Sequence, residues 1–168
     1  TNRSPETYVA WCFKANGGTT SSNTLGTITS TVQASNGFSI VKWTGDGNAS
    51  STVGHGLNST PELIILKDLS NTRDWQVYSS GAGATYKFGG NLNLGSAWNT
   101  SAGTNGAFDD PSSTVINFSN GSSSIDNLNA SGAEIIAYCF DEIEGYSRFG
   151  TYESNNSSDG TFVYTGFR

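Results

Sequence analysis

The sequence predicts an all-β fold: an antiparallel β-sandwich, jelly-roll-like, with about ten short strands and no substantial helix. Three observations carry this. No stretch holds helical periodicity over ten residues. Short runs rich in β-branched and aromatic residues recur between Gly, Asn, Ser and Pro turn signals. The composition, with 21 glycines and only 13% charged residues, is that of a turn-rich domain with a neutral polar surface. A chain of 168 residues suits one domain and can bury a sizeable core.

The elements follow in order. Tyr8 to Lys14 reads as a strand, and Ala15 to Gly26 as a connector rich in loop formers. Thr27 to Val32 is β-branched and half-exposed. The turn signal Asn36-Gly37 precedes a strand from Phe38 to Thr44, with Val41 and Trp43 on one face. Val53 to Leu57 is a short extended piece whose two glycines allow close backbone approach. Glu62 to Lys67 has a buried character. Asp74 to Tyr78 alternates, with Trp75 and Val77 expected inside, Gln76 outside and Tyr78 at the rim. Thr85 to Phe88 and Asn91 to Leu94 read as strands around Gly89-Gly90, and Thr114 to Phe118 as another. Gly95 to Ser113 is the least structured stretch. Ser119 to Gly132 is a polar connection holding Ile125 and Leu128.

The chain is organised around Glu134 to Phe140. Neither of its faces is polar, so a strand there is expected to be covered on both sides. Gly145 to Glu153 and Thr161 to Phe167 read as the closing strands.

Parts of this sequence are written twice. Tyr8-Val-Ala-Trp-Cys-Phe13 echoes Ile135-Ile-Ala-Tyr-Cys-Phe140, 127 residues apart at the cysteines. Gly37 to Thr44 echoes Gly145 to Tyr152, 108 residues apart, and Val53 to Leu57 faces Val163 to Phe167. The expectation is a tandem array. Residues 1–14 would end a preceding unit or open this domain, 15–144 would form the sandwich, and 145–168 would begin a following unit. Duplicated hairpins inside one sandwich are the alternative. The chain has no Met and starts at Thr1, which suggests a processed protein or a segment of a longer one.

The stretches Tyr8 to Gly17, Gly26 to Ala34, Gly37 to Gly45, Val53 to Leu57, Trp75 to Tyr78 and Phe162 to Arg168 together resemble a repeat domain of phage tail-fibre and other virion-surface proteins, of the marine and cyanobacterial type. The resemblance runs nearly end to end. It implies a structural β-domain in a long chain, often trimeric, that presents a surface to a host. It brings no catalytic residues with it.

Charge narrows the partners. The net charge is −6 and Lys and Arg do not cluster, so nucleic acid and anionic membrane are poor partners. No apolar run reaches the ~20 residues that span a bilayer, and no signal-peptide pattern is present. Cys12 and Cys139 are expected as two buried free thiols rather than a disulfide, and with a single histidine they cannot complete an ordinary structural zinc site.

Candidate chemistry is sparse. A Ser-His-Asp site would have to use His55, but the echo puts Thr165 in its place, which favours a structural or surface role. Asp46, Asp109, Asp110, Glu134, Glu142 and Glu144 are the carboxylates available for glycoside hydrolysis, and the sequence fixes no pair of them across a cleft. Asp109-Asp110 is the better candidate for Ca²⁺, and no other cofactor is expected. For stacking on sugar rings the candidates are Trp98 with Asn99, then Tyr86 and Trp43, with core or interface packing as the alternative. Asn-x-Ser/Thr triplets, as at Asn48 and Asn117, arise by chance in so Asn- and Ser-rich a chain.

The sequence therefore leads to a non-enzymatic structural and adhesive domain at a virion surface or in an extracellular fibre. Its expected partners are copies of itself, other virion structural proteins and a host-surface glycan. The alternatives are a carbohydrate-binding module, a self-assembling extracellular filament and, last, a polysaccharide depolymerase.

Overall fold

The structure is a computed structural model that describes residues 7, 10, 12–82, 90–92, 108–118 and 125–166. Its elements in chain order are β1 (Ser21–Asn23), β2 (Ser30–Ser35), β3 (Phe38–Thr44), β4 (Thr52–Gly54), β5 (Leu63–Asp68), β6 (Gln76–Ser79), β7 (Gly90–Asn91), β8 (Phe108–Asp109), β9 (Val115–Phe118), α1 (Asp126–Asn129) and β10 (Glu134–Phe140). They form two antiparallel sheets, ordered β1-β2-β3-β10-β5-β6-β7 and β4-β9-β8. The chain passes from one sheet to the other after β3, β4, β7 and β9. This is the expected all-β sandwich.

β10 is central, flanked by β3 and β5 along its length. Ile135, Ala137 and Cys139 lie opposite Trp43, Val41 and Ser39 on β3, and opposite Asp68, Leu66 and Ile64 on β5. This inner face is closed by the three-stranded sheet. Trp43 meets Phe118 at 6.2 Å and Tyr78 meets Phe108 at 6.1 Å between ring centroids. Val53, Phe108 and Ile116 are fully buried there. Each such side chain contributes about 1.5–3 kcal/mol of burial.

The outer face of β10 differs from expectation. Ile136, Tyr138 and Phe140 are only half-buried, as are Ile40, Leu63 and Ile65 beside them. The small sheet covers one side of the large one, so the apolar outer face is partly open.

On β6 Val77 is buried as expected, but Gln76 and Tyr78, expected outside and at the rim, are buried as well. Gln76 and Tyr78 lie opposite Leu66 and Ile64, both core positions, while Val77 shares the outer face with Ile65. Trp75 is half-buried. The stretch before β10 holds the four-residue α1, which buries Leu128 and Asn129.

The closing segments are not strands. Within 145–166 the described residues form only an isolated bridge between Ile143 and Ser147. Tyr146, Tyr152, Phe162 and Tyr164 are 70–86% exposed. A strand needs a neighbouring strand to satisfy its backbone, and among the described residues none flanks this tail. Cys12–Lys14 also lie in no strand, and Tyr8, Val9 and Trp11 fall outside the described residues.

Candidate functional site: an aromatic cleft where the chain enters and leaves

The turn before β3 sets the site. Gly37 takes φ +75°, in the left-handed region that favours glycine, and its carbonyl accepts the Asp141 N–H at 2.9 Å. A Cβ at Gly37 would collide with the Ile143 side chain. The β3–β10 register then places Phe38 against Phe140, ring centroids 4.8 Å apart. Phe13, from the incoming chain, packs on both at 5.5 and 5.2 Å. Phe149, from the outgoing chain, packs on Phe140 at 6.0 Å.

These rings wall a cleft of about 500 Å³, floored by Leu63 and Ile65 and rimmed by Lys14, Asn36, Asp141, Tyr146 and Arg148. A more open hollow beside it is lined by Lys14, Asn36, Ile143 and Tyr146, so the two ends of the sandwich meet at one pole. The outgoing segment is pinned there. Ser147 donates its hydroxyl to the Asp141 carbonyl at 3.0 Å, the Phe149 N–H bonds Glu142 at 3.0 Å, and Thr151 donates to the Gly81 carbonyl at 3.1 Å.

The flank of the cleft is acidic. Ser59 donates to Asp141, and Ser80 to Glu62. Burial raises the Glu62 carboxyl above its ordinary value, and the charges of Glu142 and Asp141 add to the shift. The arrangement offers apolar stacking inside a charged rim, which is the chemistry of a binding surface.

The sequence-predicted sites lie apart from this cleft or outside the described residues. Trp43 is 3% exposed, packs on Phe118 and donates its indole N–H to Asn129 at 3.2 Å. It is a core residue, and a sugar ring has no free face to stack on. Trp98, Asn99 and Tyr86 lie outside the described residues. Asp109 and Asp110 are exposed at the end of β8. Asp109 accepts the Asp110 N–H at 2.9 Å, and the Asp110 carboxylate takes the Tyr78 hydroxyl. Burial first, and then Asp110, push the Tyr78 hydroxyl up to about 12. Among the described residues no group of three or more His, Cys, Asp or Glu is placed to hold a metal ion.

His55 is fully buried between sheet and loop. Its Nδ1 accepts the Leu57 N–H at 3.1 Å, which leaves the proton on Nε2, bonded to the Ser112 carbonyl at 3.1 Å. Burial lowers its pKa, while the Ser112 bond and the Asp141 charge oppose that shift. This is a structural imidazole. Both cysteines are free; Cys139 is buried as expected, whereas Cys12 is exposed, and Cys12–Lys14 lie in no strand that would cover it.

The other carboxylates hold structure together. Glu134 pairs with Lys42 at 2.9 Å. Burial alone would raise the Asp46 carboxyl, but bonds from Ser51, the Asn48 N–H and Asn129 outweigh it and hold the group below its ordinary value. The residues that build the cleft were visible in the sequence in one respect: Phe13 and Phe140 close the two echoed strands.

No curated protein and no solved structure matches the chain. One family model, described as a domain of unknown function (DUF7483), matches residues 1–168. The chain thus belongs to the DUF7483 family.

Proposed function

We propose that this chain is a non-enzymatic structural and adhesive domain of a virion appendage, of the tail-fibre kind its sequence resembles. It assembles with copies of itself and with other virion structural proteins, and it displays a surface to the host. The observation that supports this reading best is the meeting of both ends of the sandwich on one aromatic pole, with Phe13 and Phe149 resting on Phe140. A unit whose chain enters and leaves beside an apolar cleft is suited to stacking on like units. The exposed apolar residues of the tail add to that surface.

Sedimentation velocity over a range of concentrations tests the proposal. Dimers or larger species should build up with concentration, and the double variant Phe13→Ser, Tyr146→Ser should stay monomeric. A wild-type chain that sediments as a monomer throughout counts against it.

A second reading, a carbohydrate-binding module, is favoured by the polar groups of Lys14, Asn36, Asp141 and Arg148 beside half-open aromatic rings. Binding on a glycan array that is lost in Phe13→Ala would support it.

A further inference from the structure

The phenylalanines of the cleft do not lie flat against one another. Phe38 and Phe140 meet at 36°, Phe13 stands at 40° to Phe38 and 75° to Phe140, and Phe149 at 51° to Phe140. Rings set at such angles enclose an angular trough rather than the flat platform on which a sugar ring stacks. The floor is aliphatic, from Leu63 and Ile65 on β5. Its volume of about 500 Å³ is that of a small-molecule site.

The outgoing wall is firmly seated. A Cβ added to Gly81 would lie 2.8 Å from the Gly150 Cα, and the Thr151 hydroxyl bonds the Gly81 carbonyl at 3.1 Å. Phe149 is thereby held in place beside Phe140, and a trough with fixed walls binds without the cost of ordering them.

The mouth of the trough carries the opposite charge to the chain as a whole. The sequence holds 8 Lys and Arg against 14 Asp and Glu, yet the trough is lined by Lys14 and Arg148 and by a single acid, Asp141. Lys14 and Arg148 are exposed. The carboxylates at hand are committed to the fold: Asp141 accepts the Ser59 hydroxyl, and Glu142 accepts the Phe149 N–H at 3.0 Å. An apolar trough with a basic mouth selects an anion that has an apolar body.

We infer that this cleft is a binding site for a medium-chain fatty acid, its alkyl chain in the trough against Phe13, Phe140 and Phe149 and its carboxylate at the mouth with Lys14 and Arg148. The site is the pole through which assembly is proposed, but the inference stands without assembly. A bound chain covers the faces of Phe13 and Phe149, so fatty acid and a second copy compete.

Titration of isotope-labelled protein with octanoate, followed by amide chemical shifts at a concentration where the chain is monomeric, tests this. The amides of Gly37, Phe140 and residues 147–149 should shift together and saturate. Octanoate should bind several-fold more tightly than the alcohol of the same chain length. That excess should vanish in the double variant Lys14→Gln, Arg148→Gln and at high salt. Ile65→Trp, which fills the floor, should abolish the binding of both. Equal affinity for acid and alcohol, an excess that survives the double variant, or shifts that fall elsewhere on the sandwich would overturn the inference. Saturable shifts at these amides with a uronic acid but not with octanoate would overturn it in favour of the carbohydrate reading. A chain that sediments as a monomer at every concentration and still binds octanoate here keeps the inference and loses the assembly; association without octanoate binding does the reverse.

Discussion

Replacing Asn129 by Ala should cost more stability than any exposed substitution. Asn129 is fully buried and joins three parts of the fold. Its Oδ1 takes the Trp43 indole N–H at 3.2 Å; its Nδ2 donates to Asp46 at 2.6 Å and to the Asn48 carbonyl at 3.1 Å. Truncation removes two neutral hydrogen bonds at about 1 kcal/mol each and one to a carboxylate at about 1.5–3 kcal/mol. It also strands a buried indole N–H. The total is about 3–5 kcal/mol, a large part of a typical domain's 5–15 kcal/mol. Urea unfolding followed by tryptophan fluorescence measures it. Asn129→Asp separates hydrogen bonding from shape. It keeps the acceptor for Trp43 but sets a second carboxylate against Asp46, so it should be at least as unstable at pH 7 and recover towards about pH 4.5, where Ala does not. A loss below about 1 kcal/mol for Ala, or no pH recovery for Asp, would refute the network's role.

Two further outcomes follow from buried titratable groups. His55 has a folded pKa below its ordinary 6.5, so the stability it contributes is complete above that value and is lost as pH falls through and below it. Protonation also removes the acceptor for the Leu57 N–H. His55→Gln should flatten the fall in stability between about pH 7 and 5, as read by denaturant titration at each pH. The two thiols should differ sharply in reactivity. Burial pushes Cys139 up to about 12, so a thiol reagent should label Cys12 in the native protein and Cys139 only on unfolding, by mass spectrometry.

The sequence read best where one residue pattern decides one element. Phe38 to Thr44 and Glu134 to Phe140 fold with the expected ends, because turn glycines and polar residues bound their apolar runs. Facing on β6 was not legible: alternation gives two sets of residues but not which set meets the other sheet. Trp43 was kept as a stacking candidate beside core packing, since a Trp on a strand carries no mark of the Phe118 that covers it. The tail has the sequence of strands, but among the described residues no strand lies beside it, and burial needs one. The cleft is built from residues far apart in sequence, Phe13, Phe38, Phe140 and Phe149, so only the echo hinted at it. Asn129 carried no signal at all in a chain so rich in asparagine.

The central claim is that copies of this chain associate through the pole where Phe13 and Phe149 rest on Phe140. Amide hydrogen exchange of residues 147–152, measured in dilute and in concentrated protein, tests it most directly. Protection should rise in that segment with concentration while the β3 amides stay protected throughout. Equally fast exchange of 147–152 at every concentration would contradict the account.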